Sequence, residues 1–486
     1  MDAPHRIEPQ AGSLRELFRV AWPLVLSSGS LSFLHVTDRI FLTWYSLDAV
    51  AASLPAGLLV WTLMSVAMGT VTYVNTFVAQ YDGSGQKERV SAAVWQGVYL
   101  AIGSGVLLAA LGPFAGVACG WIGHAEPIQS LEATYLEIGL YGSVPMMLVA
   151  ALSCFFSGRG ENVVPLLVNL GMVALNLGLD YLMIFGHGPF PEMGIAGAAW
   201  ATQIAKLAAA IVYLVLLVRL KSVKPFNFWQ NFRFDFPLFG RLLRYGSPMG
   251  IQFFLDIAGF SLFILIVGST GENELTATNL ALNLNSLAFV PLMGFGTAVS
   301  TIVGRRIGEK RPDLAVRTTW LAVGLACSYT GLFVLLILFA PSLLLSIYEL
   351  NTNDPNFAAV SEIVIELLRF VALFSFFDAI AIVFGSALRG AGDTRFCTVV
   401  TFVCCWSLMV LPTWISHQYY TGSLTVSWLS CTTYLAVLSL IFLVRFQGGR
   451  WKTMRVIEDA ASDHPDADSS LKTSIGVSEP LVATVE

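Results

Sequence analysis

Long apolar segments separated by short polar stretches make up most of this chain. Twelve segments are long enough to cross a hydrocarbon core of about 30 Å as an α-helix, which rises 1.5 Å per residue. Short charged stretches separate them most sharply near 81–89 and 305–317. The segments fall at 16–44, 50–80, 91–118, 132–157, 163–186, 194–219, 241–269, 275–303, 316–340, 361–388, 395–415 and 424–446. The pattern therefore predicts an all-α polytopic membrane protein with twelve transmembrane helices.

The composition agrees with a lipid environment. Of the 486 residues, 56% are hydrophobic and only 12% are charged, and the mean hydropathy is +0.70. Soluble domains usually carry about 25% charged residues, so a water-soluble surface cannot be built from this chain. The first dozen residues lack the basic stretch and cleavage site of a removable signal peptide. The seven cysteines lack the spacing of a metal site, and we interpret them as packing residues.

The position of basic residues predicts the orientation in the membrane. Lys and Arg occur in the even-numbered connections and near both termini, while the odd-numbered connections contain neither. By the positive-inside rule, both termini and the long central linker should face the cytoplasm of a cell whose inner membrane holds the protein. The expected divisions are an N-terminal segment at 1–15, a first lobe at 16–219, a linker at 220–240, a second lobe at 241–446 and a largely disordered tail at 447–486.

An internal repeat relates the two halves. At a shift of 225 residues, Met68-Gly69 aligns with Met293-Gly294, and Gly83 aligns with Gly308. Because each half has an even number of spans, the second half re-enters the membrane in the orientation of the first. We therefore expect two parallel, pseudo-symmetric lobes of six helices with a cleft between them.

Polar side chains inside the spans are the functional candidates, because a carboxylate near the bilayer centre costs at least about 2.5–3.5 kcal/mol. Asp38 lies in the first span, which Pro23 is expected to bend. Asn176 and Asp180 lie one turn apart in the fifth span, and Thr202 adds a hydroxyl in the sixth. Carboxylate, amide and hydroxyl oxygens suit a proton or a hard cation such as Na⁺, and interhelical hydrogen bonding is the structural alternative.

The second half has its own acidic pair, Asp256 and Asp378, in different spans. These two acids are expected to lie close together only if the second half folds as the predicted six-helix lobe. Four further polar residues are candidate modulators of the two sites. Lys206 is a possible counter-ion for Asp38 or Asp180, which would favour protons over Na⁺. The modulators are His35, Asn169, Lys206 and Asn283.

Several motifs resemble the multidrug and toxic compound extrusion (MATE) family, and NorM-like and DinF-like bacterial members are most similar. The resemblance extends from about Leu14 to Arg445. The motifs are the first helix from Pro23 to Asp38, the segment 176–186 (NLGLDYLMIFG) followed by 194–199 (GIAGAA), the run 281–309 ending in VGRRIGE, and 388–394 (LRGAGDT).

The resemblance implies a V-shaped pair of six-helix lobes that exports small organic, often cationic, drugs in exchange for H⁺ or Na⁺, with no cofactor. It implies that Asp38, Asn176, Asp180 and Thr202 form a cation site in the N-lobe, with Na⁺ possible at the first three. Asp256 and Asp378 would match the C-lobe acids of the NorM-like branch, which often has Glu at the first position and an aromatic hydroxyl where this chain has Phe374.

Two other functional classes are weaker interpretations. A flippase for lipid-linked saccharides of related architecture usually needs more cationic cavities, whereas the basic residues here lie mainly in connections. An enzyme is disfavoured because the spans contain no metal-spaced His pair, nucleophile motif or phosphate-binding glycine loop. We expect small-molecule substrates, a lipid bilayer, a monomer and no nucleic-acid partner.

Overall fold

The computed structural model describes residues 11–121, 124, 126–342, 344–345, 357–419 and 423–458. The predicted disorder of the tail falls largely outside these residues. Within the described residues, the first half contains nine α-helices: α1 (Leu14–Tyr45), α2 (Leu47–Thr72), α3 (Val74–Gly83), α4 (Lys87–Ala109), α5 (Ala115–Gly120), α6 (Glu126–Tyr141), α7 (Ser143–Ser157), α8 (Val163–Phe185) and α9 (Ile195–Arg219).

The second half repeats this arrangement with longer, less interrupted helices. They are α10 (Phe236–Gly268), α11 (Glu272–Gly308), α12 (Pro312–Phe339), α13 (Phe357–Ala391), α14 (Thr394–Cys404), α15 (Leu411–Tyr419) and α16 (Leu424–Gln447). A π-helical turn at Cys405–Val410 joins α14 to α15. The linker between the halves contains a short 3₁₀ helix at Lys224–Phe226.

The number and type of the predicted spans are confirmed. Eleven spans in the described part of the chain are long and apolar enough to cross a membrane, and the bent pair α6 and α7 makes a twelfth. The bend of 43° falls at Gly142, where a Cβ atom would collide with the side chain of Gln203 on α9. The predicted segment 132–157 is thus one broken span rather than one straight helix.

Each half encloses its own apolar core, as expected for two lobes. One buried cluster is built mainly from α10 to α16, and another mainly from α2 to α9 with the start of α10. The lobes meet where α1 packs on α11 and α2 packs on α10. Glycines allow these close approaches: a Cβ atom at Gly69 would lie 2.6 Å from the Gly250 Cα, and one at Gly294 would lie 2.7 Å from the Leu24 carbonyl oxygen.

The repeat detected in the sequence is visible in these contacts. Gly69 and Gly294 are related by the shift of 225 residues, and each lies at an equivalent inter-lobe crossing. Gly83 and Gly308 are related in the same way. A Cβ at Gly83 would collide with the backbone of Arg305, and a Cβ at Gly308 would collide with the backbone of Gln80, which is the repeat partner of Arg305.

Candidate functional site

Three polar residues of the N-lobe lie at the same depth because of how their helices end. Asp180 comes six residues before Gly186, the left-handed residue with φ 71° that ends α8. Thr202 comes eight residues after Gly194, which has φ 54° and begins α9. Asp38 comes seven residues before Tyr45, the end of α1. At 1.5 Å per residue, each lies about 10 Å from its helix end, so the three helices bring them together.

Hydrogen bonds connect this N-lobe cluster, which we define as Asp38, Asn176, Asp180 and Thr202. The Thr202 hydroxyl donates to the Ala198 carbonyl at 3.0 Å and lies 3.4 Å from Asp38 Oδ2. The Asn176 amide Nδ2 donates to Thr202 Oγ1 at 3.3 Å. The carboxyl groups of Asp38 and Asp180 are close enough to interact directly. All four side chains are buried, with relative exposures of 0–5%.

The cluster has more acceptor oxygens than protein donors. Asp38 Oδ1, Asn176 Oδ1 and both carboxylate oxygens of Asp180 are buried without a hydrogen-bond partner among the described residues. Buried polar atoms are otherwise nearly always satisfied, because an unpaired one costs about 1–3 kcal/mol. An oxygen-only set with two carboxylates fits a proton shared between the acids or a hard cation.

Residues around the cluster include one that the sequence analysis missed. Tyr135, on α6, interacts electrostatically with both Asp38 and Asp180. The sequence does not single it out, because a tyrosine in a transmembrane helix is equally compatible with packing, although Glu132 and Glu137 lie within one turn of it on α6. Lys206 interacts electrostatically with Asp38, although no ion pair joins them in the described structure. His35 is exposed and interacts with Lys206 rather than with a carboxylate.

Pro23, which was predicted to bend the first helix, lies inside α1, where it is buried and supplies no N–H. Two amide side chains hold α1 against α8 on either side of it. The connection before α8 contributes Asn162, whose Nδ2 donates to the Val20 carbonyl at 2.7 Å. Asn169 Nδ2 donates to the Ser27 hydroxyl at 2.7 Å. Asn169 therefore joins two helices and lies outside the N-lobe cluster.

The C-lobe acids form a separate group. Asp256 on α10 and Asp378 on α13 interact electrostatically with each other, as the two-lobe arrangement requires. Gln252 interacts with Asp256 and donates to Thr401 Oγ1 at 3.3 Å. Tyr434, on α16, interacts electrostatically with both acids and was not singled out from the sequence.

For two other C-lobe residues, Phe374 and Asn283, the structure shows contacts with residues other than the two acids. Phe374 is 3% exposed and stacks on Trp428, with ring centroids 6.3 Å apart. Asn283 is exposed on α11, and its carbonyl oxygen accepts a hydrogen bond from the Ser286 hydroxyl at 2.6 Å. Phe374 is thus a packing residue.

The lobes are joined at one end of the molecule, which we call the closed end. Three side chains of the N-lobe donate hydrogen bonds across it, from Tyr73 to the Arg389 carbonyl at 2.9 Å, from Asn75 to Thr301 at 2.8 Å and from Gln80 to the Gly390 carbonyl at 3.0 Å. Within the described ranges, the hydrogen bonds and ion pairs between the two lobes all lie here, including the pair Glu16–Arg306.

The chain after α16 also crosses the closed end. Its 3₁₀ helix at Arg450–Thr453 packs Trp451 on Phe446, with ring centroids 4.7 Å apart. The following residues reach the N-lobe, where the Val456 N–H donates to Gln80 Oε1 at 3.0 Å. Glu458 accepts a hydrogen bond from Tyr81 at 2.8 Å and pairs with Arg241. This segment, 450–458, therefore ties the C-lobe to α3.

Comparison with known proteins agrees with this architecture. A protein-family model described as MatE matches residues 23–182 and 248–415. A Thermotoga maritima protein named "Probable multidrug resistance protein NorM" is 28% identical over 453 residues, which cover 91% of this chain and 94% of that protein. A Brucella suis protein of the same name is 26% identical over 445 residues, covering 88% and 92%.

Solved structures share the fold. One is described as the outward-facing conformation of a multidrug resistance MATE family transporter of the MOP superfamily. It has a TM-score of 0.82 at 18% identity and covers 90% of this chain and 97% of that chain. Another, a MATE crystal structure in complex with MaL6, has a TM-score of 0.80 at 19% identity and the same coverage.

The fold, the buried polar clusters and these relatives define a polytopic membrane transporter rather than an enzyme. The family model matches well over half of the chain. The chain belongs to the MatE family of multidrug and toxic compound extrusion transporters.

Proposed function

We propose that this transporter exports small lipophilic organic cations in exchange for H⁺ or Na⁺, with the N-lobe cluster as its coupling site. The observation that carries the proposal is the set of four buried, unpartnered oxygens on Asp38, Asn176 and Asp180. Two adjacent carboxylates in a low-dielectric interior repel each other unless a cation or a proton lies with them. Loading and release of that ion therefore changes the energy of the lobe by several kcal/mol.

Access to the cluster gives the direction of coupling. The closed end carries the basic connections, so the positive-inside rule places it at the cytoplasm of a bacterial inner membrane. The cluster lies about 10 Å from the opposite ends of α1, α8 and α9, which would then face outward. A cation entering from outside gains about 2.3 kcal/mol per 100 mV of interior-negative potential.

Exchange follows from a difference in affinity between two conformations. The structure represents the state sealed at the closed end. In that state an external ion binds the N-lobe cluster and favours release of drug to the outside. The transition to the conformation open at the closed end then delivers the ion to the cytoplasm. Lys206 supplies part of the compensating charge near Asp38, which weakens Na⁺ binding relative to protonation. Asp256 and Asp378 form a second candidate site for the ion or for a cationic drug.

The division of the chain follows the same reasoning. We propose lobes at 16–219 and 241–446, with a cytoplasmic linker at 220–240, an N-terminal segment at 1–15 and a cytoplasmic tail at 447–486. Each lobe encloses its own apolar core, and both lobes belong to one chain. A single chain therefore contains both moving parts of the transport cycle, so we propose a monomer.

The test is efflux of a fluorescent lipophilic cation from proteoliposomes with Na⁺ and pH gradients imposed separately. We expect one of the two gradients to drive efflux by the unaltered protein. Asp180→Asn should abolish the gradient-driven component, because it removes one of the two carboxylates and keeps the side-chain volume. The matched control is the double variant Asp180→Asn with Asn169→Asp, which adds a carboxylate two turns away from Asn176. This carboxylate lies outside the N-lobe cluster and should not restore coupling. Unaltered gradient dependence in Asp180→Asn would contradict the proposal.

A further inference from the structure

A groove runs between α1 and α12 at the closed end, on the outside of the helix bundle. Its volume is about 690 Å³. It combines two arginines with exposed aromatic and aliphatic side chains. The groove is lined by Leu14, Arg15, Phe18, Arg19, Trp22 and Leu325. None of these residues belongs to the N-lobe cluster or to the C-lobe acids.

The two arginines lie one turn apart on the same exposed face of α1. Like charges at this spacing repel, so their adjacency is unfavourable without an anion. The neighbouring acid, Glu16, is already engaged by Arg306 and by the backbone N–H of Gly12. Among the described residues, no carboxylate forms an ion pair with Arg15 or Arg19. Within the described part of the chain, the groove therefore presents two guanidinium groups without a carboxylate as ion-pair partner.

Apolar side chains continue the face of α1 away from the arginines. Phe18, Trp22 and Leu26 have relative exposures of 58%, 38% and 54%. Arg15 and Trp22 are seven residues apart, so Trp22 lies about 10 Å further along the helix. That is close to the distance from the headgroup layer into the edge of the hydrocarbon core, where Trp is enriched. The groove thus has a cationic part near the membrane surface and an apolar part deeper in the membrane. A phospholipid has its headgroup and acyl chains in the same order.

We propose that this groove binds an anionic phospholipid, with its phosphate at Arg15 and Arg19 and an acyl chain along Phe18, Trp22 and Leu325. Arginine binds phosphate through paired N–H donors, and basic pockets between transmembrane helices at the cytoplasmic face suit such headgroups. The extended apolar wall selects a lipid over a free phosphate ion.

The bound lipid has a conformational consequence. α1 belongs to the N-lobe and α12 to the C-lobe, so a lipid that contacts both helices bridges the lobes at the closed end. Binding in one conformation favours that conformation by mass action. Anionic lipid therefore stabilises the sealed state relative to the state in which the closed end opens.

The experiment measures lipid binding to the full-length protein by native mass spectrometry and by thermal unfolding in detergent, with cardiolipin, phosphatidylglycerol, phosphatidylcholine or inorganic phosphate added. Each arginine near the surface contributes about fivefold in affinity, so Arg15→Gln with Arg19→Gln should weaken cardiolipin binding by about 30-fold. Arg15→Lys with Arg19→Lys retains the charge and should lose much less, which separates loss of binding from loss of folding.

The matched control is Arg219→Gln with Lys221→Gln, which removes two exposed basic charges outside the groove. It should leave the tightest cardiolipin-binding step unchanged. Equal weakening in both double variants would show general attraction to a basic surface and would overturn the proposal. Stabilisation by inorganic phosphate equal to that by cardiolipin would also overturn it, because the apolar wall would then contribute nothing.

Discussion

Replacing Gly83 with alanine should force the closed end apart. The added Cβ would lie 2.9 Å from the Arg305 carbonyl carbon and closer still to its oxygen, whereas ordinary contacts begin at 3.4 Å. Because backbone rather than a flexible side chain blocks the space, α3 and α11 must separate by about 1 Å. That separation stretches hydrogen bonds of 2.8–3.0 Å at this end to or beyond bonding distance.

The size of the effect follows from those bonds. Three inter-lobe hydrogen bonds, each contributing about 1 kcal/mol, together contribute about 3 kcal/mol to the sealed state. A change of that size shifts a two-state equilibrium about 150-fold. The repeat predicts that Gly308→Ala has the same effect, since its Cβ would lie 3.0 Å from the Gln80 carbonyl carbon.

Distances between spin labels across the closed end measure this shift. Cysteines introduced at the exposed positions Arg219 and Arg395, in a chain lacking its seven native cysteines, report on opposite lobes. In the unaltered protein the two labels should be mainly at a short distance, and Gly83→Ala should shift most of the distance distribution to longer values. Gly324→Ala is the control, because a Cβ there meets nothing within 4 Å and gains the same helix propensity. An unchanged distance distribution in both Gly83→Ala and Gly308→Ala would refute the reasoning.

Three further substitutions test other contacts. Asn169→Ala removes a 2.7 Å hydrogen bond to Ser27 and should lower the free energy of unfolding by about 1 kcal/mol, measured by thermal unfolding, while gradient-driven efflux persists. Glu458→Gln weakens the inter-lobe hydrogen bond from Tyr81, which Glu458 accepts while paired with Arg241, and should shift the spin-label distances toward the open form by about fivefold; no shift would mean that this bond does not hold the closed end together. Asp378→Asn should weaken drug binding and retain the cation dependence of efflux; complete loss of that dependence would move the coupling site to the C-lobe.

Much of the fold follows directly from the sequence, because lipid permits few alternatives. Backbone polar groups must be satisfied within each span, so apolar segments of the right length become helices. The predicted segments 16–44 and 424–446 correspond to helices at Leu14–Tyr45 and Leu424–Gln447. The break at Gly142 has a local signal that the prediction of one span at 132–157 did not use, because Pro145 in the first turn of α7 has no N–H to donate to the Tyr141 carbonyl.

The candidate site was only partly predictable. Asp38 and Asp180 are conspicuous because charge is rare in apolar spans, and helical spacing places Asn176 beside Asp180. Tyr135 and Tyr434 carry no such signal, because a tyrosine in a transmembrane helix is compatible with packing as well as with a polar contact. At the closed end, Gln80 contacts Val456 and Tyr81 contacts Glu458. Each of these pairs is separated by more than 370 positions in the sequence, so no local pattern predicts the contact.

The coupling role of the N-lobe cluster is tested most directly by equilibrium binding of a lipophilic cation such as tetraphenylphosphonium at varied pH and Na⁺ concentration. Linkage requires that a drug and an ion which influence each other's binding do so reciprocally. The affinity of the unaltered protein should change with at least one of the two ions, and Asp38→Asn and Asp180→Asn should each remove that dependence. Persistence of the full dependence in both variants would contradict the assignment of the coupling ion to this cluster.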